Sequence, residues 1–269
     1  MRLKPKKWIF VNALLSALLL AALAFGILHG SESVTLSEAA DPDGRARAIL
    51  LFARIPRALL AALVGMALAS AGGAFQALLR NPLADPFILG VSGGAALGSV
   101  LGIGFSLPFE LVSVAAFAGA VLSMLSIYAV SGTRGRRDAT ALLLTGVIFN
   151  AFCFALILFV NAVVTMEQAY QILFLLIGNL EVTDMGTVAI VAAFVFSGFI
   201  TLCFLSGRMN LLSLGDDEAT CLGVDVGKLR AAIFFSASLM VGAAVASSGL
   251  IGFVGLFIPH AVRLLFGAD

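Results

Sequence analysis

The sequence predicts an all-α polytopic membrane protein, and three observations carry that prediction. Of its 269 residues 61% are hydrophobic and only 12% charged, roughly half the charged share of a soluble domain. The apolar residues fall in blocks without Asp, Glu, Lys or Arg, at 58–79, 87–109, 111–130, 139–166, 185–206 and 231–259. Each reaches the ~20 residues that a helix needs to cross ~30 Å of hydrocarbon. Glycine is also abundant inside these blocks, where a helix exposed to water would lose stability. Residues 8–28 add a further block, and 231–259 is long enough for a helix plus a second, Pro-broken one. About eight spans are therefore expected, in a single transmembrane domain over residues 1–269.

The first block begins with Arg2, Lys4, Lys6 and Lys7 and resembles a secretory signal. Its apolar stretch of about 20 residues exceeds the usual ~7–15, and no small-x-small site closes it, so it reads as an uncleaved first helix. In block 87–109 Gly90, Gly94, Gly98 and Gly102 recur every four residues. On a helix they form a ridge without Cβ atoms, against which another helix packs closely. Residues 168–180 are too short to span, and Gly178 and Asn179 end them, so a partial helix near the outer surface is expected. Cys153 and Cys203 read as small apolar fillers and Cys221 as a free thiol.

Placing the N-terminus in the cytoplasm puts Arg80, Arg134, Arg136, Arg137, Arg208, Lys228, Arg230 and Arg263 on the same side as the four N-terminal cations. That is twelve of the sixteen Lys and Arg, as the positive-inside rule requires. Arg45, Arg47, Arg54 and Arg57 then gather in one outer loop. The run Ala67-Leu68-Ala69-Ser70-Ala71-Gly72, broken later at Asn81-Pro82, is echoed by Ala244-Val245-Ala246-Ser247-Ser248-Gly249, broken at Pro259-His260. The two helices run in opposite directions, as in an inverted repeat. A second repeat as long as the first would extend about two helices beyond Asp269.

The longest polar stretch between spans is 207–230, on the cytoplasmic side. Within it residues 213–223 read as a short helix bracketed by Gly215 and Gly223. Asp216, Asp217 and Glu218 occupy its first turn, where the helix dipole favours acids. Leu214, Ala219 and Leu222 are expected to supply one apolar face. Connectors lying on a membrane are usually basic, so an acidic one suits a cytoplasmic protein groove better.

Three long motifs resemble the FecCD-type permeases, the membrane subunits of importers for ferric siderophores, haem and vitamin B12. The first is Arg54-Ile55-Pro56-Arg57, then Gly72-Gly73-Ala74-Phe75-Gln76-Ala77-Leu78-Leu79-Arg80-Asn81-Pro82-Leu83-Ala84-Asp85-Pro86 and Leu89-Gly90-Val91-Ser92-Gly93-Gly94-Ala95. The second is Met209-Asn210-Leu211-Leu212-Ser213-Leu214-Gly215 leading to Leu222-Gly223-Val224. The third runs from Gly249 to His260, with Arg263 after it. The resemblance implies a type II ABC importer permease fold of ten helices, in a bacterial inner membrane, acting as a dimer. It implies a cytoplasmic ATPase subunit that holds the ATP, and an external substrate-binding protein. It makes Leu214, Gly215, Asp216, Asp217, Glu218, Ala219, Leu222 and Gly223 the ATPase-coupling element. It makes Arg54 and Arg57 contacts for acidic residues of the binding protein, with interfacial snorkelling as the alternative. Asn81, Pro82 and Leu83, with Asp138, Ala139 and Thr140, resemble segments near the cytoplasmic gate.

Other function classes fit less well. A gradient-driven transporter needs ionisable groups at membrane depth, and the six blocks hold no Asp, Glu, Lys or Arg. Asn150 and Asn161 read as interhelical hydrogen-bonding amides, and His260 as a helix-end hydrogen bond. No His-Glu-x-x-His, metal-spaced Cys/His cluster or phosphate-binding Gly-x-x-x-x-Gly-Lys-Ser/Thr occurs, which argues against a metal site, an enzyme or self-contained ATP hydrolysis. Nothing suggests nucleic acid as a partner. A purely structural role leaves the acidic helix and the outer arginines unexplained.

Overall fold

A computed structural model describes residues 5–30, 44–132, 138–180 and 184–267. The arginines at 134, 136 and 137 lie outside the described residues. The first helix, α1 (Pro5–Leu28), is followed by α2 (Arg45–Leu79). Pro56 in α2 lacks an amide hydrogen and crowds the preceding turn, and the chain answers with a wider π-helical turn at Leu50–Arg54 before regular winding resumes. A turn over residues 80–90 leads to α3 (Val91–Gly104), then α4 (Phe109–Ser131), α5 (Ala139–Val163), α6 (Met166–Ile177) and α7 (Met185–Leu212). A short α8 (Asp216–Cys221), α9 (Val226–Ser248) and α10 (Val254–Phe266) complete the described chain.

Among the described residues six helices are long and apolar enough to cross a membrane, namely α1, α2, α4, α5, α7 and α9. Block 87–109 yields a helix of only 14 residues. Gly90 at φ 83° turns the chain into α3, and Ser106 at φ 56° turns it out again. The 231–259 block divides as expected, with α9 ending at Ser248 and Pro259 inside α10. His260 therefore lies exposed within a helix rather than at its end.

The core lies between α2 and α9. Leu60, Val64, Leu68, Phe75 and Leu78 of α2 and Ile233, Phe234, Met240 and Val241 of α9 are buried, and the Phe75 and Phe234 rings stand 6.3 Å apart. α4 and α7 pack around this pair, whereas most of the described large apolar side chains of α1 are exposed. In hydrocarbon an exposed Leu or Phe faces its preferred solvent, so helices need a close fit rather than water exclusion to associate. Several hydroxyls in the spans satisfy themselves locally, although the buried Ser238 Oγ of α9 has no hydrogen-bond partner among the described residues. Ser123, Thr201 and Ser247 donate to carbonyls four residues back, which removes the cost of a bare polar group in lipid.

The expected glycine ridge is divided between two neighbours. A Cβ on Gly98 would fall 2.9 Å from the Ala115 carbonyl carbon of α4, and one on Gly94 would enter the Ser123 side chain. Gly102 faces Val112 at 3.3 Å. Gly90 precedes the helix and instead meets the Gly146 carbonyl of α5 at 2.7 Å. α6 is the anticipated partial helix, closed by Gly178. A Thr165–Gln168 capping box starts it, and the Gln168 amide also donates to the Ile103 carbonyl at 2.9 Å, fastening α6 to the end of α3.

Candidate functional site

The polar end of the bundle is organised around α8. Gly215 sits at φ 149° and Gly223 at φ 83°, conformations that a side chain would strain, so the two glycines allow the chain to turn into and out of a single tight helix. Val224 closes the exit by donating its amide to the Ala219 carbonyl at 3.0 Å. Asp216, Asp217 and Glu218 fill the first turn. They point in different directions: Asp217 and Glu218 are exposed, whereas Asp216 turns toward the bundle.

Asp216 receives two guanidinium groups. Arg230 Nη2 of α9 donates to its Oδ1 at 3.0 Å and Oδ2 at 2.8 Å. Arg80 Nη2, from the residue that ends α2 in the left-handed conformation, donates to the same Oδ1. Arg230 is 5% exposed. A guanidinium so far from water needs a carboxylate, and Asp216 supplies it at the N-terminal turn of α8. The three charges join α2 to α8 and α9, Arg80 and Asp216 being 136 residues apart along the chain.

The apolar face expected on this helix is split. Ala219 is fully buried, whereas Leu214 and Leu222 are 63% and 59% exposed. The short helix cannot hold all three on one side while Asp216 points inward, so Ala219 packs on the bundle and the two leucines remain on the outer rim. Leu214, Asp217, Glu218 and Leu222 thus form a mixed acidic and apolar surface facing away from the protein.

The turn after α2 lies at the same end. Asn81 Oδ1 accepts the Leu83 amide at 2.9 Å, and Asp85 Oδ1 accepts the Phe87 amide at 2.8 Å. Burial pushes the Asp85 carboxyl above its ordinary value, opposed by that amide. Pro82 and Leu83 are exposed. Buried Gln76 donates to the Ala84 carbonyl at 3.2 Å and to the Leu256 carbonyl at 3.4 Å, and its own oxygen accepts from Arg263. It therefore links α2, the turn and α10. Asp138 is the N-cap of α5, accepting the Ala141 amide at 2.6 Å. Ala139 and Thr140 form the first turn behind it.

At the opposite end of α2 the two arginines differ. Arg54 Nη1 donates to the Ile27 and Leu28 carbonyls at 3.1 Å each, closing the C-terminal end of α1 with a cation where the helix dipole favours one. Arg57 is exposed. Sequence reading missed the pairing roles of Arg80 and Arg230 and the linking role of Gln76. A signal was present for the first two: two arginines at helix ends flank the acidic run on the same expected side of the membrane.

Six span-length apolar helices with a small polar element at one end define a multi-pass integral-membrane protein. The chain belongs to the FecCD transport family, whose family model matches residues 14–269, a family of membrane transport subunits rather than enzymes. It is 41% identical over 231 residues to the uncharacterized ABC transporter permease protein YvrB of Bacillus subtilis (strain 168), covering 82% of this chain and 64% of that protein. It is 38% identical over 226 residues to the hemin transport system permease protein HmuU of Yersinia pestis, covering 82% and 68%. The chain thus spans about two thirds of the length of these relatives. A solved structure described as an inward-facing conformation of a metal-chelate type ABC transporter superposes with a TM-score of 0.84 at 30% identity, over 95% of this chain and 80% of that one.

Proposed function

We propose that this chain is the membrane permease subunit of an ATP-driven importer whose substrate is an iron chelate, haem or a cobalamin-like compound. The N-terminus is cytoplasmic, so the α8 end faces the cytoplasm and Arg57 the outside of a bacterial inner membrane. Two copies enclose the substrate path, an external binding protein delivers the substrate, and a separate cytoplasmic subunit binds and hydrolyses ATP. ATP-driven closure of the ATPase pushes on residues 214–223 and changes which end of the path is open. The relatives named for hemin and metal-chelate transport support the substrate class. With Arg54 engaged by α1, Arg57 carries the charge complementarity to the binding protein.

The observation that carries this reading is the division of α8. One side is held to the bundle by Asp216 and Ala219, and the other leaves Leu214, Asp217, Glu218 and Leu222 exposed. Truncating or charging an interface anchor commonly costs 2 kcal/mol or more, about a 30-fold loss of affinity. Leu222→Arg is therefore expected to release the ATPase during co-purification in detergent, while Leu173→Arg on the distant α6 retains it. An ATPase that stays bound to Leu222→Arg as it does to the parent chain would remove the docking assignment.

A further inference from the structure

The docking surface explains how α8 is held by a partner but not how its displacement reaches the membrane spans. A helix of six residues has little rigidity of its own. A push on it is transmitted only through what fixes it to the bundle, and the charged part of that fixation is Asp216. Its carboxylate is shared by Arg80, at the last turn of α2, and Arg230, in the second turn of α9. The two helices differ in how they reach the rest of the protein. α9 continues directly from α8 through Val224 and Asp225, and its first turn is capped by Asp225, which accepts the Lys228 amide at 3.1 Å. α2 has no short chain connection to α8, since Arg80 and Asp216 are 136 residues apart in sequence, and Arg80 reaches α8 through the ion pair. Arg80 also stands immediately before the 81–83 turn, whose Asn81 and Leu83 are locked together by a side-chain hydrogen bond. Displacement of Arg80 therefore displaces that turn.

Resting on the coupling role assigned to α8 above, we propose that the Arg80–Asp216–Arg230 bridge is the transmission joint of this permease. Asp216 makes α8 one mechanical body with the ends of α2 and α9, and Arg80 is the positioning residue that carries motion of α8 to the gate turn. Arg230 supplies the fixed side. Nearly excluded from water and gripping both carboxylate oxygens, it holds Asp216 in place, whereas Arg80, with a side chain 38% exposed, forms the limb that can follow or release. The three groups carry two positive charges and one negative, so loss of either arginine leaves a neutral pair rather than an unpaired carboxylate. That makes Arg80 a suitable position to sever without unfolding the site.

The test reads gate movement directly and needs no transported substrate. Cys203 and Cys221 are replaced by Ser, leaving buried Cys153, and Leu83→Cys carries a nitroxide label. The distance between labels in the two copies of the ATPase-bound assembly is then measured by pulsed electron paramagnetic resonance, with and without magnesium ATP. In the background chain a nucleotide-dependent shift on the order of 5 Å is expected, the scale of a one-turn displacement between packed elements. Arg80→Gln is expected to keep the ATPase bound and hydrolysing ATP while the shift disappears. Arg80→Lys, which preserves the charge, is expected to restore at least half of it. A full shift in Arg80→Gln overturns the proposal, as does loss of the ATPase from that variant, which would make Arg80 part of the docking surface. A background chain that binds the ATPase without any shift also overturns it. A background chain that binds no ATPase overturns the permease reading itself and the joint with it.

Discussion

Gly98 is the position where one methyl group has the clearest calculable effect. Its α-carbon lies against α4 so closely that a Cβ would fall 2.9 Å from the Ala115 carbonyl carbon and 3.2 Å from the Ala116 Cα, with the Ala115 oxygen nearer still. These are main-chain atoms and cannot rotate away. Reaching ordinary carbon contact at about 3.5–4.0 Å requires α3 and α4 to part by on the order of 1 Å, a gap that forfeits up to about half of the dispersion energy of the contacts it opens. Overpacking of this kind costs about 1–3 kcal/mol. Gly→Ala within a helix recovers roughly 1 kcal/mol of propensity, so Gly98→Ala should lose up to about 2 kcal/mol net. A methyl group on Gly207 of α7 would meet nothing within 4 Å, and Gly207→Ala should gain up to about 1 kcal/mol from the same propensity. The two variants are compared by reversible SDS-driven unfolding in mixed micelles. Equal midpoints for Gly98→Ala and Gly207→Ala would refute the claim that α3 and α4 are in backbone contact.

Further outcomes follow from the polar contacts. Asp216→Ala leaves the buried Arg230 guanidinium without its carboxylate and should cost about 3 kcal/mol, the low end for a broken buried pair because Asp216 is partly exposed. The double variant Asp216→Ala with Arg230→Met should recover most of that loss in the same unfolding assay, and failure to recover would mean that the charge itself is not the cause. Arg54→Ala removes the guanidinium from the end of α1, a contribution of about 1 kcal/mol, so amide exchange at Ile27 and Leu28 should quicken about fivefold while α9 is unaffected. Asp184 is held below the ordinary carboxylate range by the Gly186 and Thr187 amides, and Asp225 by the Lys228 amide. Both are depressed in the folded state, so their contribution is complete above about pH 4, the unfolded value. It is lost as pH falls through the lower folded values. The thermal midpoint should drop in that acid range, and should drop less when both residues are Asn.

Much of this protein is written in local sequence. The span-length blocks follow from the thickness of hydrocarbon and the rise of a helix, and five of the six blocks contain a helix long enough to cross. The bracketing of α8 by Gly215 and Gly223 was legible because left-handed turns select glycine, and the close of α6 at Gly178 for the same reason. The break after α2 was legible at Asn81-Pro82, because proline cannot continue a helix. Helix length within block 87–109 was not legible, since an apolar run looks the same whether its ends are wound or turned, and only the backbone at Gly90 and Ser106 distinguishes them.

By itself, then, the sequence determined that the chain crosses a membrane repeatedly, where its polar end lies in the chain, and which family it resembles. Each of these depends on residues close together along the chain. Tertiary structure alone decided that Ala219 turns inward while Leu214 and Leu222 stay outside, that Arg54 closes α1, and that Asp216 joins Arg80 to Arg230. Those outcomes depend on which helix ends meet in space, and an Arg–Asp pair separated by 136 positions leaves no periodicity for a sequence to show. Packing at the glycine contacts sets the distances between helices, and those distances determine which charges come within hydrogen-bonding reach.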